Sequence, residues 1–423
     1  MQTVTKPTIG TGSSVVVDRC QICNSNDLAP VLFLGYLPPV NTMPLIGSQP
    51  KEEAAYPAQV LSCRQCSLIQ LGLIVDPNIL FPPEYPYTSG TTKILRENFA
   101  ELYTDCQQFI KLSADDLIVD IGSNDGTLLS NFKNGGHRVK GVEPTLQSQL
   151  AISRGIPTEH AFFGPESAGK VLKEDGKATI ITATNVFAHI ENIHQIVEAI
   201  ALLLKDDGFF VSESHYWVSL AETVQYDTIY HEHLRYYSLS SLNYLLSQHG
   251  FELFHAKRIP THGGSIRVYA ARKGKFKVQD SIAKILKEEE NFAADGDALK
   301  QFTNRVVQSK LSLMKMICDL KKNNARIYGV GAPSRASTLV NYVGLDDNIL
   351  DCVVEIKGSH KIGKYMPGTL IPVRDENCLF EEQPEYALLL SWHIADELIA
   401  NLSKKGFKGK YIVPLPEPTI VSA

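Results

Sequence analysis

Leu117-Ile-Val-Asp-Ile-Gly-Ser-Asn-Asp-Gly-Thr-Leu128 is the stretch that decides the fold. An apolar run stops at Gly122, and a helical pattern opens after Gly126. Strand, glycine turn and helix in that order begin a βαβ unit. Gly122 and Gly126 permit a tight turn and a close approach of ligand to backbone. The helix N-terminus behind them favours a carboxylate or a phosphate. Glu143, 21 residues beyond Gly122, closes the next apolar run, Val139-Lys-Gly-Val-Glu143. An acid at that strand end accepts both ribose hydroxyls of an adenosine ligand.

Further runs follow at Thr179-Ile-Ile-Thr-Ala183 and Gly208-Phe-Phe-Val-Ser212, with helical spacing from Ile193 to Leu204 between them. Apolar strands interleaved with helices predict a parallel sheet covered on both faces. The loop reads G-x-x-x-G with Asn124 inside, not the dinucleotide G-x-G-x-x-G, and leaves little room for a pyrophosphate. Class I S-adenosylmethionine (SAM) methyltransferases carry this kind of loop and this acid. SAM is therefore the expected cofactor, ahead of a nicotinamide or flavin and of a plain structural turn. Asp120, Gly122, Asn124, Asp125 and Glu143 are the candidate SAM residues. Phe162, in His160-Ala-Phe-Phe-Gly164, is placed to stack on adenine. Asn185, in Asn185-Val-Phe-Ala-His189, follows the fourth run, at the end where open α/β sheets bind ligands.

A second α/β pattern starts at Ala325, with runs at Arg326–Val330, Asp351–Glu355, Tyr386–Leu390 and Tyr411–Pro414. Its glycine loop, Tyr328-Gly-Val-Gly-Ala-Pro-Ser-Arg-Ala-Ser337, is set to hold a diphosphate through Gly329, Gly331 and Arg335, with Lys357, Lys361 and Lys364 adding positive charge. A degenerate scaffold is the plainer alternative. Two nucleotide-type loops imply two nucleotide-bearing ligands.

Eight cysteines occur, four of them as Cys20-x-x-Cys23 and Cys63-x-x-Cys66. Two such turns converge four thiolates into a closed tetrahedral site, for which zinc is the default metal. With no open coordination position, the zinc is structural. The other cysteines are scattered.

Tyr226-Asp-Thr-Ile-Tyr-His-Glu-His-Leu-Arg-Tyr-Tyr237 is the least ordinary segment. His231 and His233, at i and i+2, point apart on a helix and there do not suit a shared metal. A general base is the favoured use, because imidazole titrates near neutrality. Glu232 and Tyr230 are candidates to orient that base or a sugar hydroxyl; an aromatic loop capping a core is the alternative. His262-Gly-Gly-Ser-Ile-Arg-Val-Tyr269 offers His262, Ser265 and Arg267 to a phosphate or carboxylate, or else is a hairpin turn with an incidental arginine.

The chain has 423 residues, with 41 Lys and Arg against 46 Asp and Glu. That balance argues against nucleic acid held by a net positive field. No apolar run reaches the roughly 18 residues of a membrane span, and no secretory h-region opens the chain, so a cytoplasmic protein is expected. The predicted organisation is a flexible tail (1–18), a zinc module (19–75), a SAM-binding domain with substrate-pocket insertions (76–275) and a Rossmann-like nucleotide-sugar domain (276–423).

In this order the motifs resemble the three-domain NDP-sugar C-methyltransferases, in particular the C-3 methyltransferases of branched deoxysugar biosynthesis. The resemblance runs from Cys20 to about Pro414. It rests on both Cys pairs, Tyr85-Pro-Tyr-Thr-Ser-Gly-Thr91, the loop at 120–126, Asn185–His189, Tyr230-His-Glu-His233, His262–Arg267 and Lys361-Ile-Gly-x-x-x-Pro-Gly368. It implies an N-terminal zinc module, a central SAM domain and a C-terminal Rossmann-like domain. It further implies a 4-keto-6-deoxyhexose on a nucleotide, often dTDP, as partner, and a monomer or weak homo-oligomer is expected. The histidine matching His233 is the implied base. Tyr230, Glu232, His189 and one of Tyr85 and Tyr87 are implied to line the sugar pocket. Pro333-Ser-Arg335 departs from the relatives' usual Ala-x-Lys-Gly, with Arg335 expected to carry the lysine's charge. An O- or N-methyltransferase, a nicotinamide-dependent sugar oxidoreductase and a zinc-module RNA modifier are the competing readings.

Overall fold

The computed structural model describes residues 8–9, 14–49, 53–81, 89–294 and 297–422. Its centre is a seven-stranded sheet in the order Phe251–Ile259, Ser265–Arg272, Leu204–His215, Ala178–Thr184, Leu117–Ile121, Arg138–Val142 and Thr158–Glu159. The last five strands run parallel, whereas Ser265–Arg272 is antiparallel to both its neighbours. Leu117–Ile121 is buried along its whole length, as a strand covered on both faces must be. The histidine- and tyrosine-rich break after Ser212 conceals the two strands Phe251–Ile259 and Ser265–Arg272, because an antiparallel pair needs no crossover helix.

The cysteine-bearing module forms its own antiparallel sheet, in the order Arg235–Tyr236, Ile69–Leu71, Tyr56–Cys63 and Leu28–Leu37. Its edge strand comes from the Tyr226–Tyr237 segment, so the module and the central domain share a sheet. The tail expected over 1–18 needs correction. Ser14–Val16 is a strand paired with Leu73–Ile74, and Ser14 is buried. The polar, Gly- and Ser-rich run before it disguises the apolar Val15 and Val16.

The C-terminal domain has six strands in the order Val373–Asp375, Cys352–Glu355, Ile327–Val330, Tyr386–Leu389, Lys410–Val413 and Thr419–Val421, all parallel except the last. The helical pattern over 280–324 resolves into two helices, Asp280–Ala294 and Ala298–Lys321. The second buries Phe302, Val306, Leu313 and Ile317, a stripe at helical spacing. Phe302 meets Trp217 edge-on, with ring centroids 5.1 Å apart. Thr303 Oγ1 donates to Val31 O at 2.8 Å, fastening the same helix to the cysteine module. Among the described residues no helix is long and apolar enough to cross a membrane.

Candidate active site

The four cysteines converge. One sulfur from each lies within 4.8 Å of the others, and Cys20, Cys63 and Cys66 are buried. In each pair the backbone turns back on itself. Asn24 N–H donates to Cys20 O and Ser67 N–H to Cys63 O, with both residues in the left-handed region at φ 58° and 59°. Four thiolates about 2.3 Å from zinc stand about 3.8 Å apart, between the 3.4 Å of the close pairs here and the 4.8 Å limit. The donor set fits zinc and leaves no position for substrate.

A cleft of about 1570 Å³ opens at the carboxyl ends of the central strands and reaches the second glycine loop. Single-ligand sites usually occupy roughly 300–1,000 Å³, so this cleft has room for two ligands. On one side lie Gly122, Asn124, Glu143, Phe162 and Asn185. Gly122 has φ 66°, and a Cβ there would stand 2.4 Å from Val186, so the turn must be glycine. Glu143 accepts from Asn124 N–H at 2.9 Å and from Thr145 N–H at 2.8 Å, which fixes its carboxylate at the cleft edge. Phe162 lines the cleft and is 69% exposed. This cradle fits an adenosine ligand. Asp120 and Asp125 are absent from the lining. Asp120 is buried behind the turn, bonded to Thr182 Oγ1 at 2.6 Å, and burial pushes its carboxyl up to about 8. Asp125 is fully buried and accepts from Thr127, Gly90 N–H and Arg154. Both shape the loop from behind instead of touching its contents.

Deeper in the cleft the His/Tyr segment packs His233 among aromatic rings. Tyr230 lies 4.2 Å from it, His215 4.8 Å and His189 4.9 Å, centroid to centroid. His233 Nδ1 is 2.7 Å from Thr228 O. A carbonyl only accepts, so Nδ1 carries the proton and Nε2 keeps its lone pair. Burial holds this imidazole well below the ordinary histidine range, so it is neutral at pH 7. Burial also brings His189 and His262 down to about 4, and among the described residues His189 Nδ1 is buried without a partner. His262, at φ 56°, lines the same wall.

The partner of His233 Nδ1 is the Thr228 carbonyl, not the Glu232 carboxylate. Glu232 Oε1 accepts from Asn41 Nδ2 at 2.6 Å, a residue of the cysteine module, while Thr228 O holds the imidazole. His231 turns away and bonds Pro57 O at 3.3 Å. Tyr85 and Tyr87 lie outside the described residues.

Arg267 belongs to a different structure from the one expected. It is 0% exposed, bonding Glu213 Oε1 and Asp105 Oδ2 at 2.6 Å each and Asn98 Oδ1 at 2.8 Å. Ser265 is equally buried, its hydroxyl donating to Thr261 O. The hairpin reading of 262–269 is the correct one, and both leave the substrate set. Arg267→Ala is expected to cost about 3–5 kcal/mol in urea unfolding, because Glu213 would stay buried without its cation. A raised substrate KM with unchanged stability would return Arg267 to the ligands.

The second glycine loop forms the far wall. Ala332 N–H donates to Glu355 Oε1, repeating the relation of Asn124 to Glu143. Lys361 lines the cleft, its ammonium on Ala332 O and its neighbouring carboxylates Glu355 and Glu232. Arg335 reaches the cleft wall but is committed to Asp227 by two bonds, at 2.7 and 2.8 Å. Its charge is already balanced, which removes it as the primary phosphate ligand.

Asn41, His215 and Thr228 are the residues that motif reading missed. His215 ends a central strand, so the strand-end rule that selected Asn185 selects it too. Asn41 had no such signal, and Thr228 acts through its backbone.

Sheet order, glycine cradle and cleft define a class I SAM-dependent methyltransferase carrying a zinc module. Family models described as "Methyltransferase domain" and "C-methyltransferase C-terminal domain" match residues 94–256 and 260–416, and one for a zinc binding domain matches 20–81. The chain is 32% identical over 415 residues to C-methyltransferase NovU of Streptomyces niveus, covering 96% of this chain and 97% of that one. It belongs to this C-methyltransferase family. Similar solved structures include a SAM-dependent methyltransferase from Clostridium acetobutylicum (12% identity, 44% of this chain and 94% of that one, TM-score 0.33). Another is the magnesium protoporphyrin IX methyltransferase ChlM of Synechocystis with bound SAH (13% identity, 42% and 83%, TM-score 0.34).

Proposed function

We propose that this C-methyltransferase acts on C-3 of a nucleotide-linked 4-keto-6-deoxyhexose, with dTDP as the nucleotide. The observation that carries the reading is His233: neutral, buried, its Nδ1–H committed to Thr228 O, which leaves the Nε2 lone pair to take a proton. A 4-keto group acidifies the proton on C-3, and Nε2 removes it. Tyr230 and His189, whose rings flank His233, are the donors to the enolate oxygen. Glu232, steadied by Asn41, lies beside the sugar. Lys361 and Lys357, on the C-terminal wall of the cleft, face the nucleotide's phosphates. Bound SAM supplies an electrophilic methyl group. The protein's remaining task is to align two ligands in one cleft.

Incubation with SAM and dTDP-4-keto-6-deoxyglucose, followed by NMR of the product, tests this. The expected product carries a new methyl on C-3. A methyl on oxygen would establish the O-methyltransferase reading instead, and a change in nicotinamide absorbance would establish the oxidoreductase.

A further inference from the structure

Arg335 belongs to the C-terminal domain, yet its hydrogen bonds lead to the base. The guanidinium grips Asp227 through Nε (2.7 Å) and Nη2 (2.8 Å), and Nη2 also reaches Gln225 Oε1 at 3.1 Å. Trp392 Nε1, from the same domain, donates to Asp227 Oδ2 at 2.7 Å, and the Trp392 ring lies 4.9 Å under the guanidinium. Asp227 is 0% exposed and Arg335 6%. The residue after Asp227 is Thr228, whose carbonyl accepts from His233 Nδ1. Thr228 is tied back into the same turn, its N–H and hydroxyl both donating to Gln225 O. Thr338, one turn beyond Arg335 on its helix, donates to Ile229 O at 3.4 Å. The short turn Tyr226–Thr228 is thus clamped from the C-terminal domain on both sides of the carbonyl that selects the histidine tautomer.

We infer that Arg335 is a positioning residue for His233: through Asp227 it fixes the Thr228 carbonyl, and so keeps His233 as the Nδ1–H tautomer with Nε2 facing the substrate. The inference rests on His233 being the base. It assigns the arginine of the second glycine loop to catalysis at a distance, not to phosphate binding. A lysine at 335 keeps the charge but replaces the planar fork by a single ammonium, which cannot hold both Asp227 oxygens in this geometry. The Thr228 carbonyl then drifts, and part of the population adopts the Nε2–H tautomer, which cannot accept the C-3 proton.

Arg335→Lys in the full-length zinc-loaded enzyme tests it, with kcat and KM for dTDP-4-keto-6-deoxyglucose measured at saturating SAM. The expected result is a fall in kcat of about 10- to 100-fold with KM held within about twofold. Imidazole ¹⁵N spectra of His233 should show Nδ1 protonated in the parent and a tautomer mixture in the variant. A tenfold rise in KM at unchanged kcat would overturn the inference and make Arg335 a diphosphate ligand. Unchanged kcat and KM would also overturn it. Trp392→Phe provides a milder arm should Arg335→Lys fold poorly, since it removes one hydrogen bond to Asp227 and keeps an aromatic ring under the guanidinium. It should lower kcat by a smaller factor with the same unchanged KM, and a parental kcat would count against the clamp. His233→Asn run in parallel separates the two readings. Retained C-3 exchange there defeats the base assignment itself, whereas lost exchange alongside a fully active Arg335→Lys defeats only the clamp.

Discussion

His233→Asn is expected to abolish exchange of the C-3 proton of a 4-ketosugar with solvent deuterium in the absence of SAM, and to lower turnover by about 10²- to 10⁴-fold. The size of the effect follows from the site. Asparagine preserves a polar side chain but offers no nitrogen that can take up a proton. SAM binding, measured calorimetrically, should stay within about twofold of the parent, since Glu143 is held by Asn124 N–H and Thr145 N–H and not by His233. The pH profile adds a second readout. Burial disfavours the imidazolium, so His233 remains an unprotonated base below the usual histidine range near 6.5. The acid limb of kcat/KM, which reports the free enzyme, should therefore fall below pH 6.5. Normal exchange in His233→Asn would place the base on another residue.

The second large effect is expected from the cysteine module. Cys63→Ser should reduce bound zinc from one equivalent per chain to nearly none by plasma mass spectrometry and abolish methyl transfer. Folding free energy in small zinc modules is largely metal-binding free energy, with apparent values of about 10–16 kcal/mol in zinc-finger peptides. Cys20, Cys63 and Cys66 also sit in one hydrophobic cluster with Val119, Ile181 and Phe187 of the central sheet. Losing the module would release Asn41 from Glu232 and strip Arg235–Tyr236 of its strand partner, Ile69–Leu71. A zinc-free Cys63→Ser enzyme of parental activity would show that the metal is dispensable. Far- and near-ultraviolet circular dichroism distinguishes a local loss from global unfolding.

What could be read from the sequence was whatever one short stretch encodes by itself. Leu117–Ile121 is recognisable because a strand buried on both faces is apolar almost throughout. The thiolate site is recognisable because two C-x-x-C turns leave few other uses. Arg267 and Arg335 were misread for a common reason. A buried ion-pair partner and a phosphate ligand require the same side chain, and only the presence of Glu213 or Asp227 beside it decides between them. Thr228 was illegible because the group that acts is a carbonyl, which every residue possesses. Asn41 was illegible because its partner, Glu232, lies 191 positions away.

The Tyr226–Tyr237 segment lends a strand to the cysteine module, His233 to the cleft and a carboxylate to Arg335 of the C-terminal domain. Three apparent modules thus share one twelve-residue splice point. Chimeras made by exchanging whole C-terminal halves will pair Arg335 with a foreign turn. Such grafts should keep their chemistry only where the donor half arrives together with residues 225–229, making this turn, and not the linker between domains, the natural unit of exchange.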